Sequence, residues 1–261
     1  MKSKVSLILT SYNCKNNIER TLKSIENQDY PAVEVIIEDG GSTDGTLDVI
    51  KDFAARTKYE CKWNSEPDKG IFDAMNKGYE MSSGEIIAFF NDLFLFPDAI
   101  SKMVEAIEKN HADGAHADLI YATDEQVKRY WKMGEGKIEK GWMPGHPTLY
   151  LKRSVYEKYG RYDAEYKCSA DYEFMIRILK DGTLRLSYVP VTIVRMYYGG
   201  TSTASAGSYM LSLKEAHQAL KRNGVRHAWW IDFRRTIKVV LQFFKAKKYR
   251  GNIMESNWER Q

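Results

Sequence analysis

The chain has 261 residues, 43% of them apolar and 28% charged, which fits one large globular domain or a domain with an appendage and argues against disorder. Its net charge of +4, from 39 basic and 35 acidic side chains, is too mild by itself to imply a nucleic-acid partner. Cys14, Cys61 and Cys168 are scattered and form no CxxC pair, so neither a zinc site nor a disulfide framework is indicated and a reducing, cytoplasmic compartment fits; no stretch approaches the ~18–20 apolar residues of a membrane span, and the apolar run after MKSK is too short for a signal segment.

Strand-like runs VSLILT (5–10), VEVIIE (33–38), YECKWN (59–64) and EIIAFF (85–90) alternate with amphipathic segments at about 16–28, 43–56, 71–81 and 97–110. The alternation predicts βαβ units and a mostly parallel, doubly wound α/β sheet with flanking helices. Ligands of such sheets bind beyond the carboxyl ends of the strands. Four polar segments therefore converge on one rim: 10–13, 39–42, 65–69 and 91–92.

In EDGGSTDGT (38–46), Asp39 leaves a strand, two glycines permit a tight turn, and Ser42 or Asp44 can cap the next helix. A strand-end Asp is equally suited to hydrogen-bond a base or a ribose. There is no GxGxxG and no GxxxxGK[ST], so neither the dinucleotide fingerprint nor a P-loop is present.

SLILTSYN, EDGGSTDGT, EPDKGIFDAMNKG and SSGEIIAFFND, in that order and spacing, resemble family 2 glycosyltransferases with the GT-A fold. GHPTLYLKRSVYEKYGRYD and CSADYEFMIRIL extend the resemblance over roughly residues 3–200. It implies an enzyme that transfers a sugar from a nucleotide diphosphate donor, UDP-linked in the expected case, with inversion. The acceptor would be a glycan or lipid-linked saccharide of a cell-surface polysaccharide such as O-antigen or capsule. A nucleotide-sugar-binding protein without turnover is the alternative. A nucleotidyltransferase would need a glycine-rich basic loop after the first strand, and TSYNCKNN lacks it.

The resemblance implies the following roles. Thr10 and Tyr12 lie in the first donor loop, with the Tyr12 ring on the base. Asp39 contacts the nucleoside, Asp68 and Lys69 lie beneath base and ribose, and Asp73 opens the donor-side helix. Core packing for Tyr12 and a helix-dipole role for Asp73 are the structural alternatives. Where relatives carry a longer acidic motif, this chain has only Asn91 and Asp92 before Leu93. Asp92 is read as the surviving ligand of a divalent metal, Mn2+ or Mg2+, with Asn91 as a sugar or supporting contact; alternatively Asp92 caps a turn. One carboxylate can suffice when phosphate and water complete the shell.

Residues 113–133 read as strand, loop and strand, and 141–153 as a Gly/Pro-punctuated loop carrying His146, which the resemblance places beside the sugar or which is a satisfied structural histidine. Asp171, at the start of a helix in SADYEFMIRIL, is implied as the base that deprotonates the acceptor, with Glu173 a secondary acceptor-side candidate; an N-terminal cap is the local alternative for Asp171. The expected division is 1–200 for the transferase domain (1–112 donor half, 113–200 acceptor half) and 201–261 for a C-terminal helical extension. Within it, 197–205 reads as a loop able to close over donor, 206–223 as a helix, and 227–250 as a basic amphipathic helix. Trp230, Phe233, Ile237, Val240, Leu241 and Phe244 share one face of that last helix. It either packs on the domain or lies on the anionic inner face of a cell membrane as a peripheral contact.

Overall fold

The computed structural model describes residues 2–198 and 206–249. The first half follows the expected alternation: β1 (Val5–Ser11), α1 (Lys15–Glu26), β2 (Val33–Asp39), α2 (Thr46–Arg56), β3 (Glu60–Ser65), α3 (Ile71–Met81) and β4 (Ile86–Phe89). β2, β1 and β4 are buried along almost their whole length because helices cover both faces of the sheet. The strand period of two sorts their side chains. Val5, Leu7 and Leu9 join α1, α2 and the later helix 99–109 in one core, and Ile8, Ile36 and Ile87 join α3 and the helices of the second half in another.

The chain continues through a two-residue strand β5 (Leu93–Phe94), α4 (Ala99–Lys109), β6 (Gly114–Ala122), β7 (Val127–Trp131), β8 (Tyr150–Lys152), α5 (Arg153–Tyr159), α6 (Ala170–Leu179) and a twelve-residue β9 (Leu186–Tyr197). Among the described residues the strand order is β3-β2-β1-β4-β8-β6-β9-β5, with β7 on β6. Pairing is parallel across β3-β2-β1-β4 and between β6 and β9. It is antiparallel where β8, β7 and β5 join. The short strands β5 and β8, helix α5 and the long β9 carry no clear sequence period and are additions to the expected elements.

The parallel register decides what the rim looks like. Ser11 pairs with Asp39 and Asp39 with Ser65, so the first three strands end in one row. The N-cap of α2 is Gly45, in a left-handed conformation, rather than Ser42 or Asp44. Asp44 instead accepts from the Thr46 amide and hydroxyl and, with its second oxygen, from the Lys15 amide. Asp92 does not start a helix either, since α4 begins after Asp98.

Helices α7 (Ala206–Arg222) and α8 (Ala228–Ala246) close the described chain; α7 packs on α6, and α8 on β7 and α7. The loop expected to close over donor falls at 199–205 for the most part, outside the described residues. No helix among the described residues is long and apolar enough to cross a membrane.

Candidate active site

Asp39 ends β2 almost fully buried. Its carboxylate accepts from Ser11 Oγ (2.8 Å), Ser65 Oγ (2.8 Å), the Gly41 and Ser42 amides (3.1 and 2.8 Å) and Ser42 Oγ (2.5 Å). Burial alone would push its pKa up, but these donors outweigh it and hold the carboxyl below its ordinary value. One ionised group thus ties three strand-end loops together. Ser42 Oγ also accepts from the Asn13 amide, which draws the first loop into the same network.

Above this network stands Gly40. A Cβ there would lie 2.6 Å from Asp68 Oδ2 and 3.2 Å from Tyr12 Cδ2, so glycine is what allows the first, second and third loops to meet. Tyr12 is 64% exposed, which removes core packing as its role and leaves its ring free to stack on a planar ligand. Asp68 Oδ1 accepts from the Gly70 amide, and Lys69 is exposed beside it. Asp73 accepts from the Lys69 amide and lies 3.7 Å from Lys77 Nζ, so it steadies the entry to α3.

Thr10 and Asn91 form a reciprocal pair between the ends of β1 and β4. Next to it, Asp92 is only 8% exposed, and among the described residues no donor or cation meets its carboxylate. Burial pushes its pKa up to about 7.

Across the rim Asp171 sits in the first turn of α6, its Oδ1 accepting from the Tyr172 amide. His146 lies in a short 3-10 turn (His146–Thr148), its Nε2 2.8 Å from Tyr162 Oη and its ring stacked on Phe89. Burial pushes the imidazole pKa down, while the Asp171 charge pulls it back up. Asp171 is therefore within electrostatic reach of both His146 and Tyr162. Glu173 faces the other way: Arg177 and Asn223 engage its carboxylate, bracing α6 against α5 and α7.

The position that sequence reading passed over is Tyr121, near the end of β6. Burial raises its pKa, and Asp92 and Asp171 raise it further against the opposing charge of Arg129. Its signal was the strand-end rule already applied to the first four strands, which β6 also obeys.

The family model for Glycosyl transferase family 2 matches residues 6–167. An uncharacterized glycosyltransferase of Mycobacterium tuberculosis, Rv1514c, is 32% identical over 181 residues, 66% of this chain and 68% of its own length. A PGL/p-HBAD biosynthesis glycosyltransferase of Mycobacterium bovis is 26% identical over 202 residues, covering 76% of this chain and 78% of that protein. Among solved structures, S. aureus TarS 1–349 in complex with UDP-GlcNAc superimposes with a TM-score of 0.70 at 18% identity, over 90% of this chain and 72% of that one. The mannosyltransferase PcManGT of Pyrobaculum calidifontis, in complex with GDP-Man and Mn2+, gives 0.66 at 17% identity, over 97% and 77%. The architecture is that of the GT-A glycosyltransferases.

Proposed function

Because the chain belongs to glycosyl transferase family 2, we propose that this glycosyltransferase moves a sugar from a nucleotide diphosphate donor, UDP-linked in the first instance, to a hydroxyl of a glycan or lipid-linked saccharide, with inversion, in building a cell-surface polysaccharide. The observation that carries the reading is Asp92. A buried carboxylate without a cation is costly, and a diphosphate donor accompanied by a divalent ion would bring that cation to it.

The resident ion implied by the family is Mn2+ or Mg2+. Among the described residues no cluster of three or more His, Cys, Asp or Glu side chains is placed to hold one. The residues still fit an ion that takes most of its ligands from phosphate and water, because such ions need only one or two protein carboxylates. Asp92 is a hard oxygen donor with no competing partner among the described residues, and PcManGT was solved with both GDP-Man and Mn2+. When bound, the ion would offset the charge that grows on the diphosphate as the sugar departs.

The remaining roles belong to the chain itself. Tyr12 stacks on the base, Asp68 and Lys69 flank the ribose, and Asp39 acts on the nucleoside by fixing the loops that receive it. Thr10 and Asn91 hold the Asp92 backbone, and Asp73 with Lys77 fixes the start of α3. On the opposite face Asp171 takes the proton of the attacking hydroxyl, and His146 with Tyr162 shapes the wall beside the sugar. Glu173 supports α6 rather than the acceptor.

A peripheral contact with the anionic inner face of a cell membrane completes the proposal. α8 buries Ala228, Ile231, Gln242 and Ala246, and by helical spacing its other side carries Trp230, Phe233, Ile237, Val240, Leu241 and Phe244, all exposed. Arg234, Lys238 and Lys245 belong to the same helix, with Lys247 and Lys248 just beyond it. An apolar face with basic margins suits an anionic lipid surface. The experiment for the whole reading is a panel of UDP- and GDP-sugars screened by thermal shift with and without Mn2+, followed by NMR of the product's anomeric configuration. Binding and inverted product support it; no binding to any member, or retention, contradicts it.

A further inference from the structure

The backbone that leads into α6, and so to Asp171, is held by a side chain of α7. Glu215 lies in the middle of α7 and is only 7% exposed. Its Oε1 accepts from the Lys167 amide at 3.0 Å, and its Oε2 from the Cys168 and Ser169 amides at 2.8 and 3.0 Å. Three consecutive backbone donors thus converge on one carboxylate, and donors of this kind are what allow such a group to be buried. Ser169 is the N-cap residue of α6, yet its side chain makes no capping bond. Its hydroxyl instead donates to the Ser212 carbonyl at 3.1 Å and lies 3.2 Å from Ser212 Oγ, on the turn of α7 before Glu215. Ala216 and Ala219 are buried where α7 packs on α6, and their small side chains permit a close approach. On the other flank, the Arg235 guanidinium carbon of α8 sits 4.4 Å from the Tyr172 ring centroid. Residues on both sides of Asp171 in the chain are therefore gripped by the C-terminal helices.

We infer that Glu215 is a positioning residue for Asp171: by holding the 167–169 backbone it sets where the first turn of α6 presents the base to the acceptor hydroxyl. The inference rests on the transferase reading. A general base works only within hydrogen-bond reach, roughly 2.6–3.2 Å, of the proton it takes. A misplacement of about 1 Å can cost about 100-fold in rate. An N-cap serine that bonded its own helix would fix this turn locally. Here the serine hydroxyl and three amides are committed to α7, so the placement of the base is set by a helix distant in sequence. Glu215 acts through Asp171 and by geometry alone. A second α6–α7 contact, from Asn223 Nδ2 to Glu173 Oε1 at 3.0 Å, grips the body of α6 and not the loop before the base. Helix α7 is then part of the catalytic apparatus, although the residues that do the chemistry lie before it in the chain.

The test compares the unmodified chain with Glu215→Ala, Glu215→Gln, Asn223→Ala and Asp171→Asn. Affinity for UDP and for the panel of UDP- and GDP-sugars is read by calorimetry. Turnover is read as nucleotide released from the sugar that binds, with alkyl glycosides offered as acceptors, well below the Tm of each variant. Glu215→Ala frees all three amides, so kcat falls by about 30-fold while UDP affinity holds, as expected for a displaced catalytic group. Glu215→Gln keeps an oxygen for the Cys168 and Ser169 amides and loses the bond from Lys167, so most of the rate returns and kcat stays about 3-fold below the parent, as for one lost hydrogen bond. Asn223→Ala loosens the same two helices elsewhere, lowers Tm and leaves kcat unchanged. Parental kcat in Glu215→Ala overturns the positioning role, and so does parental kcat in Glu215→Gln should the alanine variant not fold. A loss of kcat in Asn223→Ala equal to that in the Glu215 variants overturns it too, because any loosening of α6 on α7 would then suffice. A parental chain that binds no nucleotide sugar, or an Asp171→Asn chain with the parental rate, overturns the underlying reading and this inference with it. Loss of turnover in Asp171→Asn beside parental rates in both Glu215 variants confines the failure to Glu215.

Discussion

Thr10 and Asn91 hold each other from both sides: the Thr10 amide donates to Asn91 Oδ1 at 2.9 Å, and Asn91 Nδ2 donates to Thr10 Oγ1 at 2.8 Å. The pair joins the ends of two neighbouring parallel strands and fixes the backbone immediately before Asp92. Asn91→Ala removes both bonds. The expected loss is about 1–2 kcal/mol of stability, the sum of two partly buried hydrogen bonds, seen in urea unfolding as a lower midpoint at constant slope. Turnover should fall as well, since Asp92 loses its anchor. A midpoint unchanged from the parent would show that the pair contributes nothing.

At Asp39 the expected effect is larger and touches both stability and binding. Asp39→Asn turns one oxygen into a donor facing donors, among Ser11, Ser42 and Ser65 hydroxyls and two amides. A mismatch of this kind at a buried site costs roughly 1–3 kcal/mol, or about 2–12 °C in Tm for a domain of this size. UDP affinity should drop in parallel because the Tyr12 and Asp68 loops lose their common anchor. Calorimetry giving parental affinity would contradict that coupling.

How far the sequence reached is clearest at this network. The first four strands and their helices were legible because apolar residues recur at period two and then at helical spacing. Their polar ends followed from the rule that ligands gather beyond strand termini. What a sequence cannot display is which hydroxyl meets which carboxylate: that Ser11 and Ser65 flank Asp39 depends on parallel register, a property of the assembled sheet. β9 was missed because Pro190 interrupts its pattern and its pairing with β6 shifts register around Asp118.

Glu34 offers a pH-dependent prediction at the opposite end of the sheet. Burial would push its pKa up, yet Ser6 Oγ, the Ser83 amide and hydroxyl, and Lys4 bring it down to about 2. The folded value thus lies below the ordinary 4.5. Its contribution is fully present above about pH 4.5 and is lost as the pH falls towards about 2. Urea midpoints should therefore decline across that window, and Glu34→Gln should flatten the decline while lowering stability at neutral pH. An unchanged acid profile in the variant would rule Glu34 out as its source.

The exposed side of α8 predicts binding to vesicles of phosphatidylcholine with phosphatidylserine at low salt, measured by sedimentation. Salt screens the attraction over about 8 Å at physiological strength, so raising it should release much of the protein. Phe233→Ser with Phe244→Ser, both on the exposed face, should weaken binding without changing Tm. No sedimentation at low salt would leave α8 without a lipid partner.

The central claim is that Asp171 takes a proton while a nucleotide sugar is held on the other side of the rim. The most direct measurement is donor binding and transfer in Asp171→Asn, which keeps the shape and removes the base. Asp171 accepts a hydrogen bond from the adjacent Tyr172 amide, which an asparagine oxygen can also accept. The account predicts parental donor affinity with transfer reduced by about 100-fold or more, within the range of general-base catalysis. Transfer at the parental rate would contradict it.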